Sequence, residues 1–207
     1  MIIDAFGPLI YRSEISKDFL SYLKTVSLKS KDSEDVGWSL AGNIENQKLA
    51  KANPQKFINF IYPHVVEYIL ANIDRAEKNA LAYSRPSLNQ VTFDLGNGPW
   101  INYQKKHEFN PVHKHSGNLS SVIFIDIPEE IENELENWNG KSNCPSPGML
   151  EFIYNSHTFM CANAHKIIPK TGDMLIFPAD LKHCVYPFTS DVTRITMSFN
   201  IFNLQYD

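Results

Sequence analysis

The sequence predicts an α+β fold with helices first and strands after. Apolar residues recur at helical spacing within residues 1–88, whereas residues 89–207 contain short strand-like runs between polar and glycine-bearing breaks. Because many short strands follow one another, the second part predicts a β-sandwich or jelly roll. The length of 207 residues fits a single domain in which the helical part supports the jelly-roll core.

Two helices are predicted in the N-terminal part. Ser16 is a candidate N-cap for the first, and Asn53 precedes a proline at the predicted start of the second. Pro63 lies within the apolar pattern of the second helix, so a kink or a division is expected there. The polar residues 27–46 predict a loop.

The strands are predicted from runs of alternating or continuous apolar residues. These runs are residues 90–95, 100–104, 121–127, 149–154, 174–177, 184–186 and 194–202. Glycines and a proline in residues 96–99 predict a turn between the first two strands. Residues 129–147 are polar and contain two prolines, which predicts a long loop.

Composition and charge bear on several classes of protein. The net charge of -4 gives no strong signal for nucleic-acid binding. No apolar stretch is long enough to span a membrane, and the first residues lack the features of a secretory leader. We therefore expect a cytoplasmic protein in which Cys144, Cys161 and Cys184 are reduced.

A candidate metal site begins with His113 and His115. Residues i and i+2 of an extended chain point to the same side, so both imidazoles can reach one ion. His183, after the predicted strand of residues 174–177, is a candidate third ligand. Imidazole suits iron, zinc, copper or nickel, so the ligand type alone does not select the metal.

Arg194 is a candidate anion-binding residue on the last predicted strand. Thr196 and Ser198 share its face, because alternate residues of a strand point the same way. A guanidinium beside hydroxyl groups binds a carboxylate through several hydrogen bonds. The alternative is a surface arginine paired with an acid.

These residues occur in a familiar order. The chain resembles the Fe(II)- and 2-oxoglutarate-dependent oxygenase superfamily, whose motif is His-X-Asp/Glu, a distant His, and an Arg about ten residues later. Here the motif corresponds to His113-Lys114-His115, then His183, then Arg194 with Thr196. The resemblance covers residues 90–202 and is closest to a small branch common in bacteriophage genomes.

The resemblance implies a fold, an activity and roles for the site residues. It implies a double-stranded β-helix and an iron bound by His113, His115 and His183. It also implies that 2-oxoglutarate contacts Arg194, with Thr196, Ser198 and Tyr103 as further partners, and that O2 is consumed with release of succinate and CO2. The substrate, whether a small molecule or a peptidyl side chain, is not indicated, and a phage-encoded protein is expected in the host cytoplasm.

His115 departs from the family pattern, because the usual ligand at its position is a carboxylate. Three interpretations remain: His115 binds the iron, a carboxylate such as Glu108 replaces it, or a water molecule fills the position. Two other classes remain as well, a cupin-type three-histidine metalloenzyme without 2-oxoglutarate and a non-catalytic binding barrel.

Overall fold

The computed structural model describes residues 7–78, 88, 90–155 and 162–207, and within them two antiparallel sheets dominate. The strands are β1 Tyr11–Glu14, β2 Gln47–Leu49, β3 Val91–Asp94, β4 Trp100–Gln104, β5 Asn110–His113, β6 Leu119–Asp126, β7 Leu150–Ile153, β8 Ala164–Ile167, β9 Asp173–Pro178, β10 Lys182–Val185 and β11 Arg194–Tyr206. The helices are α1 Lys17–Ser30, α2 Pro54–Lys78 and α3 Glu129–Glu136, with a short 3-10 helix at Gly37–Ser39.

The two sheets differ in size and position. The major sheet has the order β1-β9-β6-β11-β4-β2, with β3 also beside β11, and the minor sheet has the order β5-β10-β7-β8. Phe124 and Phe177 of the major sheet pack with Phe152 of the minor sheet in one buried cluster. The α+β prediction is confirmed, and the strand core is a double-stranded β-helix.

Helices α1 and α2 cover the outer face of the major sheet. Ser16 caps α1, since its side chain accepts a hydrogen bond from the backbone N–H of Phe19. Phe57 of α2 meets Phe199 of β11 edge to face, with ring centroids 5.1 Å apart. Helix α2 is not divided at Pro63, because its buried face packs on the sheet to both sides of this residue.

Strand β11 shows why the sheet has one apolar and one polar face. Met197 and Phe199 are fully buried against the helices, whereas Arg194, Thr196 and Ser198 alternate with them and line a cavity. The larger apolar cluster therefore lies under α1 and α2, and the polar cavity lies between the two sheets.

Two predicted loops are wrong, and the predicted turn at residues 96–99 joins strands that do not form a hairpin. Strands β3 and β4 do not pair with each other. Both run antiparallel to β11 on the same side of it, β3 beside its C-terminal part and β4 beside its N-terminal part, and the turn at residues 96–99 connects them. The predicted loop at residues 27–46 includes the end of α1 and the 3-10 helix. The predicted loop at residues 129–147 includes α3, and β8 was not predicted.

In the ranges that the structure describes, no helix has the length and apolar character needed to cross a membrane.

Candidate metal centre and cosubstrate site

Three histidines converge between the sheets. His113 ends β5 and lies opposite His183 of β10 in the antiparallel register. His115 follows β5 by two residues, and its backbone N–H donates to the carbonyl of Ala179 at 2.9 Å. One ring nitrogen of each histidine lies within 4.8 Å of the other two, so the three can hold one metal ion.

The ring nitrogens are arranged as neighbouring ligands of one ion. The Nε2 atoms of His115 and His183 are 3.2 Å apart. Two nitrogens that are each about 2.1 Å from an ion and at right angles to each other lie about 3.0 Å apart. This separation therefore fits coordination by both rings.

Backbone carbonyls fix the tautomers of two of these rings. The Nδ1 atom of His113 lies 2.7 Å from the carbonyl oxygen of Pro111, and that of His183 lies 2.8 Å from the carbonyl oxygen of Leu181. Because a carbonyl only accepts hydrogen bonds, each Nδ1 carries the proton and each Nε2 keeps its lone pair. The donor set thus fits a divalent transition metal.

The imidazoles are neutral at pH 7. Burial lowers the pKa of His183 to about 4, with the charge of His113 as a further cause. Burial also lowers the pKa of His115 to about 3, with the charges of His183 and His113 as further causes. Burial lowers the pKa of His113 too. Neutral rings are the form that binds a metal.

These shifts predict that the metal-free protein loses stability in acid. Below about pH 6.5 the unfolded chain protonates histidines that the folded protein keeps neutral, so stability falls as the pH drops toward 4. The slope is up to about 1.4 kcal/mol per pH unit for each histidine. Urea unfolding at pH 7 and pH 5 measures the free energy of unfolding at each pH. His115→Gln should lessen the difference between the two values, whereas His165→Gln should not.

Arg194 is buried in the same cavity, with 2% of its surface exposed. Its Nη1 donates to Oε1 of Gln104 at 2.9 Å, and its guanidinium lies over the Phe124 ring. Burial lowers its pKa to about 10, so it remains charged at pH 7. Among the described residues no carboxylate lies within 4.0 Å of it, and its Nε has no partner. A buried, unneutralised guanidinium is costly unless an anion joins it.

Thr196 and Ser198 place hydroxyl groups beside Arg194. The side-chain amide of Asn102 donates to the Thr196 hydroxyl at 3.2 Å and to the Ser198 hydroxyl at 3.4 Å. Because the amide fills an acceptor position of each hydroxyl, both O–H groups remain able to donate. Arg194, Thr196 and Ser198 therefore form one face of donors in the cavity.

The described walls of the cavity contain no carboxylate. Glu108, the carboxylate considered as an alternative ligand, accepts hydrogen bonds from the backbone N–H groups of Glu45 and Lys105 at 3.0 and 2.7 Å. These bonds hold it on the surface, away from the histidine cluster. The geometry therefore favours His115 as the third ligand.

Tyr103 lies on the opposite face of its strand, so its predicted contact with the cosubstrate is wrong. Its hydroxyl donates to the carbonyl of Ser27 in the last turn of α1, and burial raises its pKa to about 12. Its neighbours Asn102 and Gln104 face the cavity instead. The alternation of polar and apolar residues in β4 was the signal that places Tyr103 on the helix side.

We expect Tyr103→Phe to affect stability and not cosubstrate binding. The substitution leaves a buried carbonyl at the end of α1 without its donor, which costs about 1–3 kcal/mol. Chemical unfolding measures the loss, and a titration with 2-oxoglutarate should give the wild-type affinity. A weakened 2-oxoglutarate affinity in a stably folded variant would contradict this assignment.

Four amide side chains in the cavity were missed by the sequence predictions. They are Gln47, Asn102, Gln104 and Asn110. Gln47 lies on a three-residue strand within a polar region, where the sequence shows no strand periodicity. Asn110 lies only three residues before His113, so proximity to the histidine pair was the available signal.

Comparison with known families gives one match. Residues 98–200, which include all three histidines and Arg194, match the family described as "Putative 2OG-Fe(II) oxygenase". No curated protein matches the sequence.

Two solved structures of low sequence identity have a TM-score of 0.50 and share the fold, and a third has a slightly lower score. An oxidoreductase of the 2OG-Fe(II) oxygenase family from Burkholderia pseudomallei has a TM-score of 0.50 at 10% identity, over 95% of this chain and 85% of that one. HygX from Streptomyces hygroscopicus, with nickel, 2-oxoglutarate and hygromycin B bound, has a TM-score of 0.50 at 13% identity, over 97% of this chain and 84% of that one. A Pseudomonas putida prolyl-4-hydroxylase has a TM-score of 0.49 at 12% identity, over 92% of this chain and 91% of that one.

The fold and the site together define a metal-dependent oxygenase of the double-stranded β-helix class. Residues 98–200 belong to the 2OG-Fe(II) oxygenase family. The placement of the chain in a bacteriophage branch stays a prediction.

Proposed function

We propose that this protein is an Fe(II)- and 2-oxoglutarate-dependent hydroxylase whose iron is held by three histidines. His113, His115 and His183 would bind the ion, and Arg194 with Thr196 and Ser198 would bind the far carboxylate of 2-oxoglutarate. The observation that carries the proposal is the buried Arg194, which has no described acidic partner and shares with the imidazoles a cavity whose described walls contain no carboxylate.

Charge supports a dianionic cosubstrate. Three neutral imidazoles leave both charges of a divalent ion uncompensated, and Arg194 adds one more. A diacid brings two negative charges into this low-dielectric cavity, where each is worth more than in water. Iron, 2-oxoglutarate and O2 together supply the oxidation, with succinate and CO2 as products, and the substrate gains a hydroxyl group.

The chain itself binds, orients and excludes water. Backbone carbonyls hold two histidine rings in the metal-binding tautomer, and Gln104 orients the Arg194 guanidinium. Phe124 and Phe177 form apolar walls. The cavity volume is about 50 Å³, room for only a few water molecules.

The three-histidine donor set also favours a second candidate, a cupin-type metalloenzyme that does not use 2-oxoglutarate. Such an enzyme has no need of Arg194. The two candidates therefore differ in whether the metal-bound protein recognises the diacid.

Anaerobic addition of Fe(II) and then 2-oxoglutarate tests the proposal. We expect one equivalent of iron to bind, a weak visible charge-transfer band to form with 2-oxoglutarate, and succinate to be released once O2 is admitted. His183→Ala should abolish iron binding, whereas His165→Ala on β8 should not, because His165 is exposed and outside the cluster. Iron binding without the band would favour the cupin-type enzyme, and retention of iron by His183→Ala would place the metal elsewhere.

A further inference from the structure

A second cavity lies directly beside the metal cavity. It has a volume of about 570 Å³ and shares Leu40 and Trp100 as wall residues with the metal cavity. Trp38, which is 84% exposed, forms another part of its wall. We call this cavity the Trp38 groove.

The groove continues the polar face that carries the cosubstrate residues. Ser198 of β11 lines the metal cavity, and Asn200 and Phe202, the next residues on that face, line the groove. The Trp100 ring lies 6.1 Å from the His115 ring, centroid to centroid. The groove therefore begins at the Trp100 side of the metal cavity, near His115, and follows β11 in the direction away from Arg194.

The polar atoms without partners in these two cavities are mostly acceptors. The side-chain oxygens of Asn200 in the groove, and of Gln47 and Asn110 in the metal cavity, are buried and accept no hydrogen bond. Each unpaired buried acceptor is costly, so a ligand that donates N–H or O–H groups gains more here than one that only accepts.

The charges lead to the same conclusion. Apart from histidines, the described walls of both cavities contain two charged side chains, Arg194 and Glu34. Arg194 is assigned to the cosubstrate, and no described cation lies within 4.0 Å of the Glu34 carboxylate. The exposed face of Trp38 also favours a cation.

We propose that the Trp38 groove is the substrate site and that the substrate carries a protonated amine on an apolar body. The amine lies toward Glu34 and Trp38, which line the groove but not the metal cavity, and the apolar body lies against Leu49 and Trp100. The carbon to be oxidised is then at the Trp100 end, beside the histidines. The assignment of an oxidised carbon rests on the proposed function; the preference for an amine rests on the groove alone.

Three probes with the same six-carbon body test the preference: hexylamine, hexanol and hexanoate. Each is titrated anaerobically into protein loaded with Fe(II) and 2-oxoglutarate, and binding is followed by the indole N–H resonances of the three tryptophans. We expect hexylamine to shift Trp38 and Trp100 but not Trp138, and to bind about fivefold more tightly than hexanol. Hexanoate should bind most weakly.

Variants at exposed positions keep the test independent of folding. Glu34→Gln should abolish the advantage of hexylamine over hexanol, whereas Glu132→Gln on α3 should not, because Glu132 is exposed and outside both cavities. Trp38→Leu should weaken hexylamine binding, and Trp138→Leu should not. The inference is overturned if hexanoate binds as tightly as hexylamine or more tightly, or if the preference for hexylamine over hexanol survives Glu34→Gln. The charge-transfer band in the same samples reports separately on the proposed function: a band without an amine preference refutes only the substrate class.

Discussion

Arg194→Ala is expected to lower the affinity for 2-oxoglutarate by at least about thirtyfold while the protein keeps its full iron content. A charge-assisted contact to a buried carboxylate typically costs about 2–5 kcal/mol when one partner is removed, and 1.4 kcal/mol corresponds to a factor of ten. Arg194 is buried, and no acidic side chain among the described residues pairs with it. Little screening therefore reduces the loss of affinity. Anaerobic titration of the charge-transfer band measures both the affinity for 2-oxoglutarate and the iron content.

Two further variants separate charge from shape. Arg194→Lys should recover part of the affinity, because an ammonium keeps the charge but loses the planar fork and the Gln104 contact geometry. Arg12→Ala is the control, since Arg12 is paired with Asp173 on β1 and β9 and lies outside the cavity. Equal 2-oxoglutarate affinity in the wild type and all three variants would remove the reason for choosing this cosubstrate, and the cupin-type enzyme would be the better proposal.

Much of the fold was predictable because the apolar patterns in this chain are strong. Strand β6 has an almost entirely buried run, and β11 alternates between an apolar face and a polar one. Ser16 and Asn53 are N-caps whose side chains accept backbone N–H groups three residues on. In each case a local physical preference agrees with the tertiary packing.

The elements that were missed lack such local signals. Helix α3 buries only Ile131 and is otherwise rich in glutamate, so it has no apolar stripe to recognise. Strand β8 is largely exposed, and its pairing with β7 decides its conformation. The turn between β3 and β4 resembles a hairpin turn locally, but the long β11 pairs with both strands and keeps them in one line.

The site was predictable to the extent that spacing determines direction. The i, i+2 rule correctly brought His113 and His115 together, and alternation placed Thr196 and Ser198 beside Arg194. The pairing of His113 with His183 depends on the register of β5 and β10, which no local pattern contains. Tyr103 was assigned to the wrong face because its resemblance to a family position outweighed the alternation of its own strand.

His115 offers the sharpest test of the metal centre, because two substitutions should have opposite results. His115→Ala removes one of three ligands and should weaken iron binding by at least about a hundredfold, since even the loss of a partner that only supports a ligand costs about 10–100-fold. His115→Asp supplies a carboxylate and creates a two-histidine, one-carboxylate site, a donor set that suits Fe(II). It should therefore retain iron binding, which a competition assay with a chelating dye measures for both variants.

The aspartate variant should also couple stability to the metal more strongly than the wild type does. Without iron, His115→Asp places a carboxylate at a largely buried position beside two neutral imidazoles, which lowers the free energy of unfolding. Iron pairs this charge, so the rise in melting temperature on adding Fe(II) should exceed that of the wild type. His165→Asp, on the exposed part of β8, should show the wild-type response. Wild-type iron affinity in His115→Ala would show that His115 is not a ligand, and a similar rise in His115→Asp and the wild type would show that the introduced carboxylate does not reach the ion.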